Sequence, residues 1–181
     1  MYAAIVSTAA LLAGIALIML GNGLQGTLLG VRAAQESFDT LATGVVMSSY
    51  FSGFLIGSTV TSHIVRRVGH IRVFAALASV ASAAVLLHAL WVTPWFWSGV
   101  RIVTGFCFAG LYVITESWLN DRATNETRGA LLSVYMLVTF AGMICGQLLI
   151  NVGDTRSFEL FILISVLVSL AVVPIALTAT P

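Results

Sequence analysis

The sequence predicts an all-α membrane protein of six transmembrane helices, and three observations carry that prediction. Charged residues are only 8% of the 181 positions, and the eight basic ones are all arginine. Mean hydropathy is +1.04. What charge there is sits in short gaps between apolar stretches. Each stretch reaches the ~20 residues a helix needs to cross ~30 Å of hydrocarbon. The spans run approximately over 4–30, 40–65, 72–92, 97–119, 129–151 and 157–178. A water-soluble domain of this length would need charge over most of its surface. Residues 1–181 therefore read as a single six-helix bundle with no separate soluble domain. The net charge of +1 supplies no basic face, which excludes electrostatic nucleic-acid binding.

Span one carries Gly14, Gly21, Gly23, Gly26 and Gly30, with Asn22 and Gln25 among them. Glycine this dense weakens a soluble helix but lets backbones approach closely in lipid. Asn22 and Gln25 are three apart and share a face. They either bond a neighbouring helix or line an aqueous cavity. The stretch lacks a basic leading region, is too long for a signal peptide and precedes five more spans, so it reads as a retained helix.

Span two contains Gly53 and Gly57, and span five Gly142 and Gly146, each pair at close-packing spacing. Spans three and six are the most uniformly apolar, which suits lipid contact. Spans one, two, four and five hold most of the glycine and amide groups and should surround any pathway. Gln147 in span five is one more such amide. Pro94 opens span four, as proline suits a first helical turn, and Trp95 and Trp97 suit the outer interface. His63 and His88 fall toward span ends and read as interfacial. Cys107 and Cys145 read as small apolar packing residues without metal-ligand spacing.

Arg66, Arg67, Arg72, Arg122 and Arg128 follow the even-numbered spans two and four. Basic residues in short loops stay cytoplasmic. Both termini are then cytoplasmic, and Arg32 and Arg156 lie outside. Val68-Gly69, Arg72 and Phe74 recur at the same spacing as Val152-Gly153, Arg156 and Phe158. A duplicated three-helix unit gives a 3+3 inverted repeat, a pattern found in transporters.

Arg101 is the only charge well inside a span. A buried arginine costs ~2.5–3.5 kcal/mol on insertion scales and marks a functional position unless it snorkels to the interface. One turn from Trp97, it has both readings open. Glu116 lies fifteen residues on, about 22 Å at helical rise, so the two cannot pair. Glu116, Asp121, Arg122, Glu126 and Arg128 after span four can meet Arg66, Arg67, His70 and Arg72 after span two. The meeting is either a solvated face or an ion-paired latch.

The stretch Ser62-x-x-x-Arg66-Arg67-Val68-Gly69-His70-Ile71-Arg72 resembles the signature loop of the major facilitator superfamily. Arg67, Gly69 and Arg72 fit its pattern, whereas Ser62 and Arg66 replace the usual glycine and aspartate. Arg101-x-x-x-Gly105, with Asp121 twenty residues later and Arg128-Gly129 opening span five, resembles the second signature. Gly110-Leu111-Tyr112-x-x-x-Glu116-Ser117-Trp118-Leu119-Asn120 is similar to the YcaD-like branch of bacterial members. The resemblance implies half of a twelve-helix fold and alternating access, often driven by a proton gradient. It also implies a bacterial inner-membrane location. A second six-helix half would come from the same chain or another subunit, and Thr180-Pro181 falls where an interdomain linker would begin.

The expected function is secondary transport of a small solute. Arg101, Asn22, Gln25 and Gln147 are the candidate cavity. Arg67, Gly69, Arg72, Glu116 and Asp121 are the candidate cytoplasmic gate. No cofactor or metal is implied. A rhomboid-type intramembrane protease would need a serine activated by a histidine, and no such pair is legible. A channel would need a filter-like loop, and none is present in the sequence. Cysteine labelling tests the topology. Positions 68–71 and 122–127 should react from the cytoplasm, and 33–37 and 154–156 from outside. Finding 68–71 and 154–156 on one side would overturn six spans.

Overall fold

The computed structural model describes residues 2–177, with side chains from Thr8 onward; the end of the sixth expected span and Thr180-Pro181 lie outside the described residues. Helix α1 covers Tyr2–Gln35, α2 Thr40–Val68, α3 His70–Leu90, α4 Pro94–Arg122 and α5 Arg128–Leu148. A 3₁₀ turn, Leu149–Val152, extends α5. The sixth span is α6, Glu159–Leu170, continued by α7, Val172–Ala176. Six segments are long and apolar enough to cross a membrane.

Local chemistry sets the helix ends. The Asp39 carboxylate caps α2 by accepting the Ala42 N–H at 2.6 Å. Gly69 alone joins α2 to α3, with φ of 95°, a backbone geometry that suits glycine. Pro94 occupies the first turn of α4, where its missing N–H leaves no bond unmade. Pro174 explains the break at Ala171. Proline has no N–H for the Leu170 carbonyl, and its ring crowds that group.

The bundle is built on two helix pairs in near backbone contact. A Cβ at Gly53 would collide with the Ile102 carbonyl, one at Gly57 with that of Phe106, and one at Gly105 with that of Tyr50. These contacts join α2 to α4. Gly146 lies against the Leu20 carbonyl, Gly142 against Met19 and Ala16, and Gly23 against Met143, which joins α1 to α5. Lipid tails are as apolar as the side chains, so association in the membrane rests on such close packing.

Helix α3 packs against α4 and α6, and α6 against α1. The Ser82 hydroxyl lies 2.7 Å from that of Ser165 and 2.9 Å from that of Ser169, linking α3 to α6. The expected lipid-facing role of α3 and α6 holds for one side of each only. Both bury their other side, at Phe74, Ala78 and Ala81 and at Phe161, Ile164 and Val168. The broadest open apolar faces belong to α2, at Phe51, Leu55 and Ile56, and α5, at Leu137, Phe140 and Ile144.

Gly57→Ala should lower the stability of the detergent-solubilised protein by about 1–3 kcal/mol, because a methyl must displace backbone. Gly99 has nothing within 4 Å of an added Cβ. Gly99→Ala should shift stability by no more than ~0.5 kcal/mol. Thermal unfolding of the two variants in parallel checks the contrast.

Candidate functional site

Arg101 points inward. Its guanidinium carbon lies 4.4 Å from the centre of the Tyr50 ring on α2. Only 6% of the residue is exposed, and its Nε and Nη1 are buried without a partner. The side chain is therefore turned into the bundle and not out to its surface. Trp97, one turn before Arg101 on α4, sits in an aromatic cluster. The Trp97 indole donates to the His88 carbonyl at 3.0 Å and packs edge-on to Phe38 and His88. A cation over an aromatic face is worth ~0.5–2 kcal/mol, with more at a desolvated site.

The expected interfacial position of His88 is corrected by this packing. The residue is fully buried between α3 and α4, its Nδ1–H donating to the Ala84 carbonyl at 3.2 Å. Tight α3–α4 packing and the adjacent Trp97 ring seal it from the surface.

Polar groups continue inward from Arg101 along the seam of α1, α2, α4 and α5. Asn22 is half-buried, within interaction range of the Tyr50 and Tyr112 side chains. The Tyr112 hydroxyl donates to Met19 Sδ at 2.8 Å. Gln25 is completely buried, with neither amide atom partnered. An unmade hydrogen bond on a buried amide costs ~1–3 kcal/mol. Gln147 is not brought to this cluster; it lies exposed on α5. Cys145 is exposed as well, whereas Cys107 is buried as expected.

The end of the bundle where α2 meets α3 and α4 meets α5 has its own arrangement of charged groups. Glu116 lies within α4 and accepts the Tyr135 hydroxyl of α5 at 3.0 Å. Asp121 faces His70, with Oδ2 3.7 Å from Nε2. Arg67 and Arg72 are exposed, and Arg67 makes no ion pair with Asp121. A helical turn carries the Arg67 side chain away from α4, while Gly69 turns the chain so that His70 faces it. Gly69 itself is exposed. A cleft of about 640 Å³ opens here, lined by Arg66, His70, Ser117 and Asp121 among others.

His70, Ser117 and Asp121 share a hydrolytic triad's residue types but not its geometry. Ser117 Oγ is 3.2 Å from Nε2, the same nitrogen that faces Asp121. A triad needs the serine on one ring nitrogen and the carboxylate on the other.

Sequence reasoning missed Tyr50, Tyr112 and Tyr135. They were read as part of the apolar spans. The available signal was that a buried tyrosine hydroxyl needs a partner, so each marks a polar neighbour.

The family model of the Major Facilitator Superfamily matches residues 11–181. Relatives named "Uncharacterized MFS-type transporter YcaD", from Escherichia coli strains ED1a and UTI89, are each 32% identical over 168 residues. The match covers 93% of this chain and 44% of each relative, so the chain spans less than half the length of the curated relatives it matches. A family match over nearly the whole chain agrees with six membrane-length helices and both signature stretches, and the chain belongs to the major facilitator superfamily of membrane transporters.

Proposed function

We propose that the chain is the N-terminal half of a secondary transporter that moves a small solute by alternating access, coupled to protons. Arg101 carries the reading. A buried guanidinium with two unpartnered nitrogens is a group held ready for a ligand or a counter-charge. Tyr50, Asn22, Gln25 and Tyr112 extend the same polar seam and form the cavity wall with it. Gln147, on the open face of α5, contributes where a second half closes the cavity. Arginine stays charged at every physiological pH, so Arg101 binds or polarises and does not carry the proton.

The 3+3 inverted repeat belongs to this reading. Its support is that exchanging α1–α3 with α4–α6 maps the α1–α5 contact onto α2–α4 and the α1–α6 contact onto α3–α4. The second six-helix half covers the open apolar faces of α2 and α5. The protein lies in a bacterial inner membrane with both termini cytoplasmic. Arg67, Gly69, Arg72, Glu116 and Asp121 belong to the cytoplasmic gate, with His70 as the partner of Asp121.

The test uses the full-length protein in proteoliposomes, screened with radiolabelled amino acids, sugars and carboxylic acids under an inward proton gradient. Any solute taken up by the wild type should be lost about 10- to 100-fold in Arg101→Ala, the range for one buried charged hydrogen bond. Arg101→Lys should also be impaired, because the planar fork is gone. Undiminished uptake by the alanine variant would remove Arg101 from the cavity.

A further inference from the structure

The corner between α2 and α3 places a histidine against the end of α4. His70 is the first residue of α3, reached from α2 through the single residue Gly69. Any force on its ring acts on both helices at once. Its Nε2 shares a hydrogen bond with Ser117 at 3.2 Å and lies 3.7 Å from the Asp121 carboxylate. Its ring centre is 5.7 Å from that of Trp118, with the planes 33° apart. All three partners are on α4. We propose that His70 is a proton-operated latch. Protonated, it pairs with Asp121 and holds the α2–α3 corner against the end of α4. Neutral, it keeps only the Ser117 hydrogen bond, and the corner loosens.

The charges around the ring decide whether this is feasible. From α4, Asp121 and the Trp118 face attract an imidazolium. From α2, Arg66 lines the same cleft and repels it. From α3 itself, Arg72 borders the neighbouring groove with His70 and Trp118, and the positive end of the helix opposes the charge. Arg122 lies over the same indole, 5.3 Å from its centre. Charges of both signs therefore face the ring, and His70 is 26% and Asp121 64% exposed in their side chains. Histidine is the one side chain whose charge ordinarily changes between about pH 5 and 8. An arginine at this position would hold Asp121 at every pH.

The latch acts on the gate of the transport cycle proposed above and rests on that reading. It is tested without any solute. The full-length protein, its native cysteines replaced by serine, carries Val113→Cys in the cleft with a trifluoromethyl label. Fluorine NMR then reads the populations of the cleft between about pH 5 and 8. The wild-type ratio should change about two- to fivefold across that range, as for a half-exposed ion pair. His70→Gln and Asp121→Asn should be flat, and His70→Arg should stay at the acid-side ratio throughout. A flat wild-type response, or an unchanged response in either His70→Gln or Asp121→Asn, would overturn the latch. Neither result bears on the Arg101 uptake test, which stands or falls separately.

Discussion

Two helix pairs, α1 with α5 and α2 with α4, are held at backbone contact by glycines facing carbonyls, and the other helices are arranged around them. In water, burying apolar surface would bring helices together by itself. In lipid that driving force is absent, and contact must come from close packing and interhelical hydrogen bonds. Gly53, Gly57 and Gly105 provide it for one pair, and Gly23, Gly142 and Gly146 for the other. These interfaces cannot slide, because the facing atoms are backbone. Movement must therefore occur elsewhere, either between whole bundles or at the ends where side chains make the contacts.

The polar seam follows from the same constraint. With the helices this close, room remains only for side chains that replace one another across the gap. Arg101 is accommodated because Tyr50 offers a flat ring face, in the turn before Gly53. Glu116 is accommodated because Tyr135 on α5 gives it a proton donor. Helices α3 and α6 are cross-linked by serine hydroxyls.

The six spans were legible because hydropathy reports the membrane directly. The helix ends were less so. Helices α2 and α4 run past the apolar stretches to Val68 and Arg122, since a backbone leaving hydrocarbon can remain helical in water. The break before Pro174 was also passed over, since an apolar run hides a missing hydrogen bond. Of the candidate site, Arg101 and Asn22 were found from polarity alone, because a charge or an amide in an apolar run must be explained. The tyrosines were not, since each reads as apolar until its hydroxyl is considered. His70 was counted with three arginines, Arg66, Arg67 and Arg72, as loop charge, and the turn at Gly69 separates it from the first two.

Burial separates the two ends of the seam in kind. Arg101 is enclosed, permanently charged and short of partners, so its electrostatic demand is large and constant. Asp121 and His70 are wet, and their attraction is weak and adjustable. A binding group has to be unsatisfied until its ligand arrives, whereas a gate has to be almost balanced so that a small change tips it. The proposed cavity at Arg101 and the proposed gate at His70 and Asp121 differ in burial in this way. The glycine-locked helices α2 and α4 connect them, with Tyr50 and Arg101 at one end and the His70–Asp121 contact at the other.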